Sequence, residues 1–235
     1  MDLWVRILLF YTVLLVSLVV HEAAHALLGL LGGDRTAYVG GQVTLNPIPH
    51  IRREPLGTVI LPLGALIMSQ GTMCMGFAHA PYDPIWAYHH PRRAALMSAA
   101  GPLSNVLLAL LAFGVLKGLI AFDLGEAITT RSGAGQHFAR HLEMIRPLSD
   151  DGSLRAVIKI ASVFLLLNVL LAFINVFPIP PFDGASVVEG LFPRTRAFFS
   201  LVRGQLVLMI VGLLIVWRAI DFWFWPVLGW VYRLL

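Results

Sequence analysis

Two histidines and a glutamate lie in the middle of an apolar segment near the N-terminus. The stretch SLVVHEAAHALLGL carries His21, Glu22 and His25. An ionisable side chain within a membrane span costs about 3 kcal/mol unless it is paired or lines a cavity, so such groups indicate function. Residues four apart lie on one face of an α-helix, so both imidazoles can bind one metal ion beside the glutamate. The spacing therefore predicts a metal site with a neighbouring base.

Zinc is the metal ion that these side chains favour, because it accepts nitrogen and oxygen ligands in tetrahedral geometry. A catalytic zinc keeps one position for water and lowers its pKa to roughly 7, so a carboxylate such as Glu22 can remove a proton. The alternative is a pair of packed core histidines with Glu22 neutralised by a basic partner. No lysine or arginine occurs between Arg6 and Arg35, so this segment offers no such partner. We therefore predict a bound cation.

A third ligand is predicted in the segment NVFPIPPFDG, Asn175 to Gly184. Its prolines cannot continue a helix, and Gly184 permits backbone angles that other residues avoid. Asp183 can therefore turn toward the histidines and complete a two-histidine, one-carboxylate site. The alternative is an ordinary turn at the membrane surface, because Pro-Pro and Asp-Gly are common turn dipeptides. The HEAAH stretch favours the ligand interpretation.

The composition is that of a membrane protein. Of 235 residues, 58% are hydrophobic and only 13% are charged, whereas soluble domains average about 25% charged residues. Runs of about 20 apolar residues can span a bilayer, and the chain has five of them: Leu3–Leu31, Leu56–Phe77, Ala94–Phe122, Ala156–Phe177 and Ser200–Ile220. The tryptophan-rich stretch Phe222–Leu235 is either an interfacial segment or a short final span. We predict one domain, residues 1–235, that is an all-α polytopic membrane protein with five to six transmembrane helices.

Three shorter features complete this arrangement. The first run resembles a signal peptide, but its apolar pattern continues past the small residues around His25, so we expect no cleavage there. The stretch Thr36–His50 alternates apolar and small residues and ends in prolines, which predicts a small membrane-associated β-hairpin with strands within Thr36–Leu45. Residues Asp123–Arg155 form a polar loop that is too short for an inserted globular domain.

The basic residues indicate orientation rather than nucleic-acid binding. The net charge is +4, but the arginines are scattered between apolar runs without interleaved aromatic residues, so we predict no nucleic-acid partner. In a five-span arrangement the positive-inside tendency favours a cytoplasmic location for the more basic side and an external N-terminus. The more basic side holds Arg35, Arg52, Arg53, Arg131, Arg140, Arg146 and Arg155, and the other side holds Arg6, Arg92, Arg93, Arg194, Arg196 and Arg203.

The single cysteine, Cys74, excludes an internal disulfide framework. With Met68, Met73 and Met75 nearby it could form a soft-metal site. Packing is the favoured interpretation, because thioether-rich apolar runs usually fill space.

Four motifs in this order resemble the site-2 protease family of intramembrane zinc metalloproteases (peptidase M50-like). They are HEAAH, the hairpin sequence TLNPIPH at Thr44–His50, GPLSN at Gly101–Asn105 and NVFPIPPFDG, and they cover residues 1–190. The resemblance implies one zinc ion per chain, bound by His21, His25 and Asp183, with Glu22 as the catalytic base. It also implies that Asn105 orients substrate or water, although an interhelical hydrogen bond is an equal alternative. The chain has no room for PDZ or CBS domains, and residues 191–235 carry no family motif.

The function implied is hydrolysis of peptide bonds in transmembrane protein substrates, within a lipid bilayer. We expect an integral multi-pass protein of a prokaryotic plasma (inner) membrane, with the active site toward the cytoplasmic side. The predicted strands could pair with an extended substrate. The main alternative is a metal-binding membrane transporter that uses the same histidines and aspartate. His50 could approach the metal, but an interfacial hydrogen bond is favoured; His79 has no predicted role, and the oligomeric state is not predicted.

Overall fold

The computed structural model describes residues 1–128 and 142–235, which are mainly helical. The long helices are α1 (Leu3–Gly32), α6 (Pro91–Ala121) and α7 (Gly152–Asn175). Shorter helices are α2 (Thr36–Val39), α3 (Pro47–Arg53), α4 (Leu61–Met68, preceded by a π-helical turn, Leu56–Ile60), α5 (Pro84–His89), α8 (Asp183–Leu191) and α9 (Arg196–Arg203). The last helical stretch joins α10 (Leu206–Ala219) and α11 (Trp225–Leu234) through a π-helical turn, Ile220–Phe224. Strands β1 (Gly125–Ala127) and β2 (Ile145–Pro147) form an antiparallel pair.

Four helices in the described residues are long and apolar enough to cross a membrane: Leu3–Gly32, Pro91–Ala121, Gly152–Asn175 and Leu206–Leu234. The all-α polytopic architecture is therefore confirmed. The final helix runs continuously from Leu206, so the tryptophan-rich stretch extends the last span rather than forming a separate one. The predicted span Leu56–Phe77 is shorter than expected, because its helix ends at Met68.

The segment between α1 and α6 begins and ends on the same side of the bundle. The carbonyl of Gly32, at the end of α1, accepts hydrogen bonds from Trp86 Nε1 at 3.1 Å and from Arg93 Nη1 at 3.2 Å. Gly29 of α1 faces Met97 of α6. The helices α1 and α6 are thus antiparallel neighbours, and residues 33–90 return to the level at which they started.

Within that segment, residues 56–83 form a re-entrant excursion along α1. After α4 the backbone carbonyl of Gln70 accepts a hydrogen bond from the Arg6 side chain, near the start of α1. The chain then returns without helix past Phe10, whose carbonyl lies 4.0 Å from Cys74 Sγ, and the backbone N–H of Asp83 bonds Asp34 Oδ2 at 3.0 Å. Because non-helical backbone at this depth needs protein neighbours, packing against α1 accounts for it.

This arrangement corrects the prediction of a second full span and the grouping of arginines that followed from it. The ends of α1, α5 and α8 lie together, since Arg196 bonds the Tyr88 carbonyl and Gly190 packs on the Pro91 carbonyl. The described arginines on that side are Arg35, Arg52, Arg53, Arg92, Arg93, Arg194, Arg196 and Arg203. Arg6, Arg146 and Arg155 belong to the opposite side; Arg131 and Arg140 lie outside the described residues.

The predicted strands within Thr36–Leu45 are wrong, and the small sheet occurs at β1 and β2 instead. Local caps explain the difference. The Asp34 carboxylate accepts hydrogen bonds from the N–H and the hydroxyl of Thr36, which starts α2. Asn46 caps α3 by accepting from the Ile48 N–H, with Pro47 in the first turn. These side-chain caps favour helical turns over extended pairing.

The core is centred on α7. Over its most apolar window, 56% of residues are buried, compared with 12% for the final helix. Buried leucines and valines of α7 pack against Phe10, Val13 and Leu14 of α1 and against Leu116 of α6. The final helix attaches through Phe224 and Leu228, and its other faces are exposed. The most extensively packed part of the bundle is therefore α1, α6 and α7.

The re-entrant excursion makes a topological prediction. Cysteines placed at the exposed positions Arg53 and His89, in a Cys74→Ser background, should react with an impermeant thiol reagent from the same membrane face. A cysteine at Asp2, at the other end of α1, should react only from the opposite face. Labelling of intact and inverted vesicles checks this, with Asp2→Cys as the reference. Labelling of Arg53→Cys and His89→Cys from opposite faces would instead establish a full second span.

Candidate metal centre

Three donor atoms from two distant parts of the chain converge at one point. His21 Nε2 lies 3.0 Å from His25 Nε2, and Asp183 Oδ2 lies 3.1 Å and 3.4 Å from these two nitrogens. Both histidines are about 5% exposed. The predicted ligands His21, His25 and Asp183 are thus brought together, although Asp183 is far from them in the sequence.

In each imidazole, the hydrogen bond made by Nδ1 determines whether Nε2 carries a proton or a lone pair. His25 Nδ1 lies 2.7 Å from the Met97 carbonyl, and His21 Nδ1 lies 2.6 Å from Asn105 Oδ1. Both partners are oxygen acceptors, so each Nδ1 donates a proton, and in a neutral imidazole Nε2 then carries a lone pair. Two lone pairs and the carboxylate oxygen of Asp183 therefore face one another. Asp183 Oδ2 is buried and receives no hydrogen bond from the part of the chain that the structure describes.

This donor set fits a tetrahedral zinc ion. Ligands about 2.0–2.1 Å from zinc in tetrahedral geometry lie roughly 3.3 Å from one another, close to the distances between these donor atoms. The ligand types, two imidazoles and a carboxylate, are those of a catalytic zinc site. The converging lone pairs are stabilised by a cation and repel one another without one.

Glu22 lies beside the histidine donors, and one of its carboxylate oxygens has no hydrogen-bond partner among the described residues. Its side chain is 1% exposed, and Oε2 makes no hydrogen bond. A carboxylate oxygen of Glu22 and the ligand nitrogens of His21 and His25 all lie within 4.8 Å of one another. A buried carboxylate without a counter-charge is costly, so its retention here is consistent with a base that acts on a molecule bound at this centre.

The proline-rich segment places Asp183 by ending α7 and starting α8. After Asn175 the helix gives way to turns, and α8 begins at Asp183 itself. Gly184 is required here for a reason other than the unusual backbone angle that the sequence suggested. A β-carbon at Gly184 would overlap the carbonyl oxygens of Val176 and Phe177. The start of α8 therefore packs directly on the unwound end of α7.

Gly101 allows α6 to approach the imidazoles. A β-carbon at this position would lie 2.5 Å from His21 Nε2 and closer still to His25 Nε2. The GPLSN motif thus contributes the close helix approach that Gly101 allows, as well as the side chain of Asn105. We did not predict a role for Gly101 from the sequence, because the clash depends on how closely α1 and α6 pack.

Asn105 makes interhelical hydrogen bonds, which was one of its two predicted roles. Its oxygen faces His21 of α1, and its Nδ2 donates to Asn168 Oδ1 of α7 at 2.9 Å. A role toward substrate or water stays a prediction. Sequence reasoning missed Asn168 and Ser17, both fully buried; the available signal was the presence of polar side chains inside two apolar helices.

The remaining histidines lie apart from the donor atoms. His50 Nε2 bonds the Thr44 carbonyl at 3.0 Å, so it makes a local hydrogen bond as favoured, although the side chain is buried. His79 is exposed and lies 3.9 Å from Glu54. Cys74 is buried against α1, in agreement with a packing role.

A cavity of about 430 Å³ lies beside the centre, between α5, α6, α8 and α9. Its walls include Ala94, Met97 and Ser98 of α6 and Ser186 and Glu189 of α8. Met97 is the residue whose carbonyl holds His25, and Ser186 lies one turn beyond Asp183 on the same helix face. Two walls of the cavity are therefore formed by helices that also hold residues of the metal centre. Its polar end is marked by the Arg203–Glu189 ion pair, at 2.6 Å.

Comparison with known proteins agrees with this geometry. The sequence model of peptidase family M50 matches residues 9–218, which include all the residues of the centre. The chain belongs to peptidase family M50. It is a zinc metallopeptidase and an integral membrane protein.

Curated relatives carry the same assignment in their names. The chain is 31% identical over 183 residues to "Putative zinc metalloprotease YwhC" of Bacillus subtilis, covering 77% of this chain and 67% of the relative. It is 26% and 29% identical to "Putative zinc metalloprotease Rip2" of Mycolicibacterium smegmatis and Mycobacterium tuberculosis, covering 93% and 94% of this chain and 70% and 71% of those proteins. No solved structure shows significant similarity to the chain.

The close approach at Gly101 predicts that Gly101→Ala weakens zinc binding. The added methyl group must displace the imidazoles, and overpacking of this kind costs about 1–3 kcal/mol, or roughly a 5- to 150-fold rise in the zinc Kd. Competition with a chromophoric chelator measures the Kd. Gly114→Ala on the same helix is the control, because a β-carbon at Gly114 meets open space. Wild-type zinc affinity in Gly101→Ala would contradict the assignment of these imidazoles as ligands.

Proposed function

We propose that this metallopeptidase cleaves peptide bonds of transmembrane proteins within the membrane. One zinc ion per chain is held by His21 Nε2, His25 Nε2 and Asp183 Oδ2. The observation that supports this most directly is the convergence of these three electron-donating atoms, 3.0–3.4 Å apart, between apolar helices. Glu22 lies with His21 and His25 in a group whose potential ligand atoms are within 4.8 Å of one another, the one such group among the described residues.

Each residue of the centre then has a task in hydrolysis. When bound, zinc would supply Lewis acidity, which lowers the pKa of a water molecule to near neutrality and polarises the carbonyl group of the substrate. Glu22 removes the proton from the attacking water and returns it to the leaving amine. The Met97 carbonyl and the Asn105 amide hold the two imidazoles in the tautomer whose Nε2 can bind a metal.

The depth of the centre supports a substrate that lies in the membrane. His21 is roughly 27 Å along α1 from Leu3 and roughly 16 Å before Gly32, at a rise of 1.5 Å per residue. A hydrocarbon core is about 30 Å thick, so the centre is inside it or close to its edge. A helical substrate hides its amide groups in intrahelical hydrogen bonds, so the scissile segment must unwind before attack.

The cavity beside α8 supports a place for the unwound segment. It has the size of small ligand sites, about 300–1,000 Å³, and combines apolar walls with the hydroxyl groups of Ser98 and Ser186. An extended peptide has unpaired N–H and C=O groups, which such hydroxyl groups can bond. The strand-pairing role predicted for Thr36–Leu45 is withdrawn, since these residues form no strand.

The positive-inside tendency supports a cytoplasmic location for the metal-centre end of α1. Among the described arginines, those near the ends of α1, α5 and α8 outnumber those near the N-terminus. The proposed orientation therefore keeps the N-terminus outside and the active site toward the cytoplasm. The bacterial relatives support a prokaryotic plasma membrane, and a single membrane-embedded domain over residues 1–235 remains our proposal.

A metal transporter is the weaker alternative. A transport path needs several ligand groups along the membrane normal. In residues 1–128 and 142–235, one group of three or more histidine, cysteine, aspartate or glutamate side chains is close enough to hold an ion, and it contains His21, Glu22 and His25. A single compact centre suits chemistry better than transit.

The role of Glu22 is tested by Glu22→Gln. The substitution preserves size and burial but removes the base, so cleavage of a single-span model substrate should fall about 10²- to 10⁴-fold. Zinc content, measured by mass spectrometry on the purified protein in detergent, should stay at one ion per chain. Retained cleavage would refute the base assignment, whereas absence of zinc from the wild-type protein would refute the metal centre.

The role of the cavity is tested by Ser186→Trp. The indole group should fill the space beside α8 and raise the KM for the model substrate roughly 5- to 150-fold, because about 1–3 kcal/mol of binding is lost with an occluded contact. The zinc Kd should not change. Leu191→Trp is the control, since Leu191 is on the same helix but 55% exposed. Equal KM values for both variants and the wild type would show that substrate does not use the cavity.

A further inference from the structure

Four buried polar side chains form a continuous hydrogen-bonded chain that ends at the metal centre. Ser17 of α1, Asn168 of α7, Asn105 of α6 and His21 of α1 are at most 5% exposed. The bonds between successive members measure 2.9, 2.9 and 2.6 Å. Each group is surrounded by apolar helices, where a polar side chain is retained only if it is satisfied or functional.

The donor-to-acceptor direction of these hydrogen bonds is determined at Ser17, the member of the series farthest from the metal centre. The Ser17 hydroxyl donates its only proton to the Val13 carbonyl at 2.8 Å, so its oxygen must accept from Asn168 Nδ2. The second Nδ2 proton of Asn168 goes to the Phe164 carbonyl at 2.9 Å. A backbone carbonyl can only accept a hydrogen bond, and the Ser17 hydroxyl has already donated its proton. Both contacts therefore require the NH₂ group of Asn168 to face Ser17 and Phe164.

The orientation of Asn168 then determines that of Asn105. Asn168 Oδ1 faces Asn105 and accepts from its Nδ2, so Asn105 Oδ1 is left facing His21 Nδ1. His21 must therefore carry its proton on Nδ1, and its Nε2 lone pair points at His25 and Asp183. If the Asn105 amide were reversed, its NH₂ group would face Nδ1, the proton would move to Nε2, and that nitrogen could not bind a metal.

The two imidazoles differ in this respect. His25 Nδ1 bonds the Met97 carbonyl, which is part of a helix backbone and cannot reverse. His21 Nδ1 bonds a side-chain amide, which can rotate by 180° at little steric cost because its oxygen and nitrogen are similar in size. Only His21 therefore needs further groups to keep its tautomer.

We propose that Asn168, oriented by Ser17 and the Phe164 carbonyl, is a positioning residue that sets the tautomer of His21 through Asn105. The inference rests on the proposed function, since it requires that His21 Nε2 bind zinc. It extends the metal centre to α7, which contributes neither ligand nor base. Among the described residues, Asn168 bonds Asn105, Ser17 and the Phe164 carbonyl, and it makes no hydrogen bond to the ligand donor atoms or to Glu22.

The test compares zinc affinities of the full chain in detergent, with zinc alone as the probe. Asn168→Leu keeps the approximate size but removes the group that orients Asn105, so the zinc Kd should rise about 10- to 100-fold, as for other residues that orient metal ligands. Ser162→Ala is the matched control: Ser162 is also a fully buried polar residue of α7, but it bonds the Met144 N–H. Its zinc Kd should stay within about threefold of the wild type by the additivity of independent sites.

A second substitution separates positioning from a structural role. In Asn168→Leu/Asn105→Asp, the carboxylate presents an oxygen to His21 Nδ1 in either orientation, as in carboxylate–histidine–zinc triads. The double variant should therefore bind zinc about tenfold or more tightly than Asn168→Leu alone, because the orientation of His21 is restored. A purely structural role predicts the opposite, because a second buried substitution cannot repair packing lost at Asn168.

The possible outcomes are distinct. An unchanged Kd in Asn168→Leu, or a double variant as weak as the single one, would overturn the positioning role. If Asn168→Leu does not yield folded protein, Ser17→Ala carries the test with an expected Kd rise of about 3- to 10-fold, from about 1 kcal/mol for one hydrogen bond, and no rise overturns the proposal. Failure of the wild type to bind zinc would instead overturn the proposed function.

Discussion

The mutual repulsion of electron-donating atoms in an apolar interior is the constraint that organises this protein. Two imidazole nitrogens and a carboxylate oxygen are held 3.0–3.4 Å apart with no donor between them. Water would relieve such repulsion at a protein surface, but few water molecules reach the centre of a helical bundle. A divalent cation relieves it instead, and that requirement connects the fold to zinc chemistry.

The three central helices meet this constraint in different ways. The helix α1 supplies both imidazoles and the proposed base, and α6 approaches them closely because Gly101 lacks a side chain. The helix α7 ends where the prolines begin, which allows α8 to start at Asp183. The most buried of these helices, α7, also carries Asn168, so the part of the bundle best isolated from lipid supports the ligand with the most easily disturbed tautomer.

Outside α1, α6 and α7, the remaining segments are distributed unequally between the two ends of α1. The re-entrant excursion packs against the N-terminal half of α1, while the cavity and most described arginines lie near its C-terminal end. The final helix contacts the rest of the bundle on a narrow face, and elsewhere it is exposed. Exposed apolar side chains of this kind are more stable in contact with lipid than in contact with water.

From the sequence alone we could predict the helical class, three of the four spans to within a few residues, and the three side chains that the structure brings together at the centre. These features are encoded locally, because hydropathy over about 20 residues, histidines four apart and a run of prolines each act within one element. Local reasoning failed at Thr36–Leu45, where the caps from Asp34 and Asn46 favoured helical turns over the predicted strands. It also failed at Leu56–Phe77, where apolar composition did not distinguish a full transmembrane span from a segment that returns to the side on which it began. The sequence could not reveal that Asp183 reaches the histidines, that a side chain at Gly101 would clash with them, or that Asn168 bonds Asn105, which the helix packing shows. Each of these depends on the register between helices distant in the sequence, where displacements of about 1 Å decide whether two atoms bond or clash.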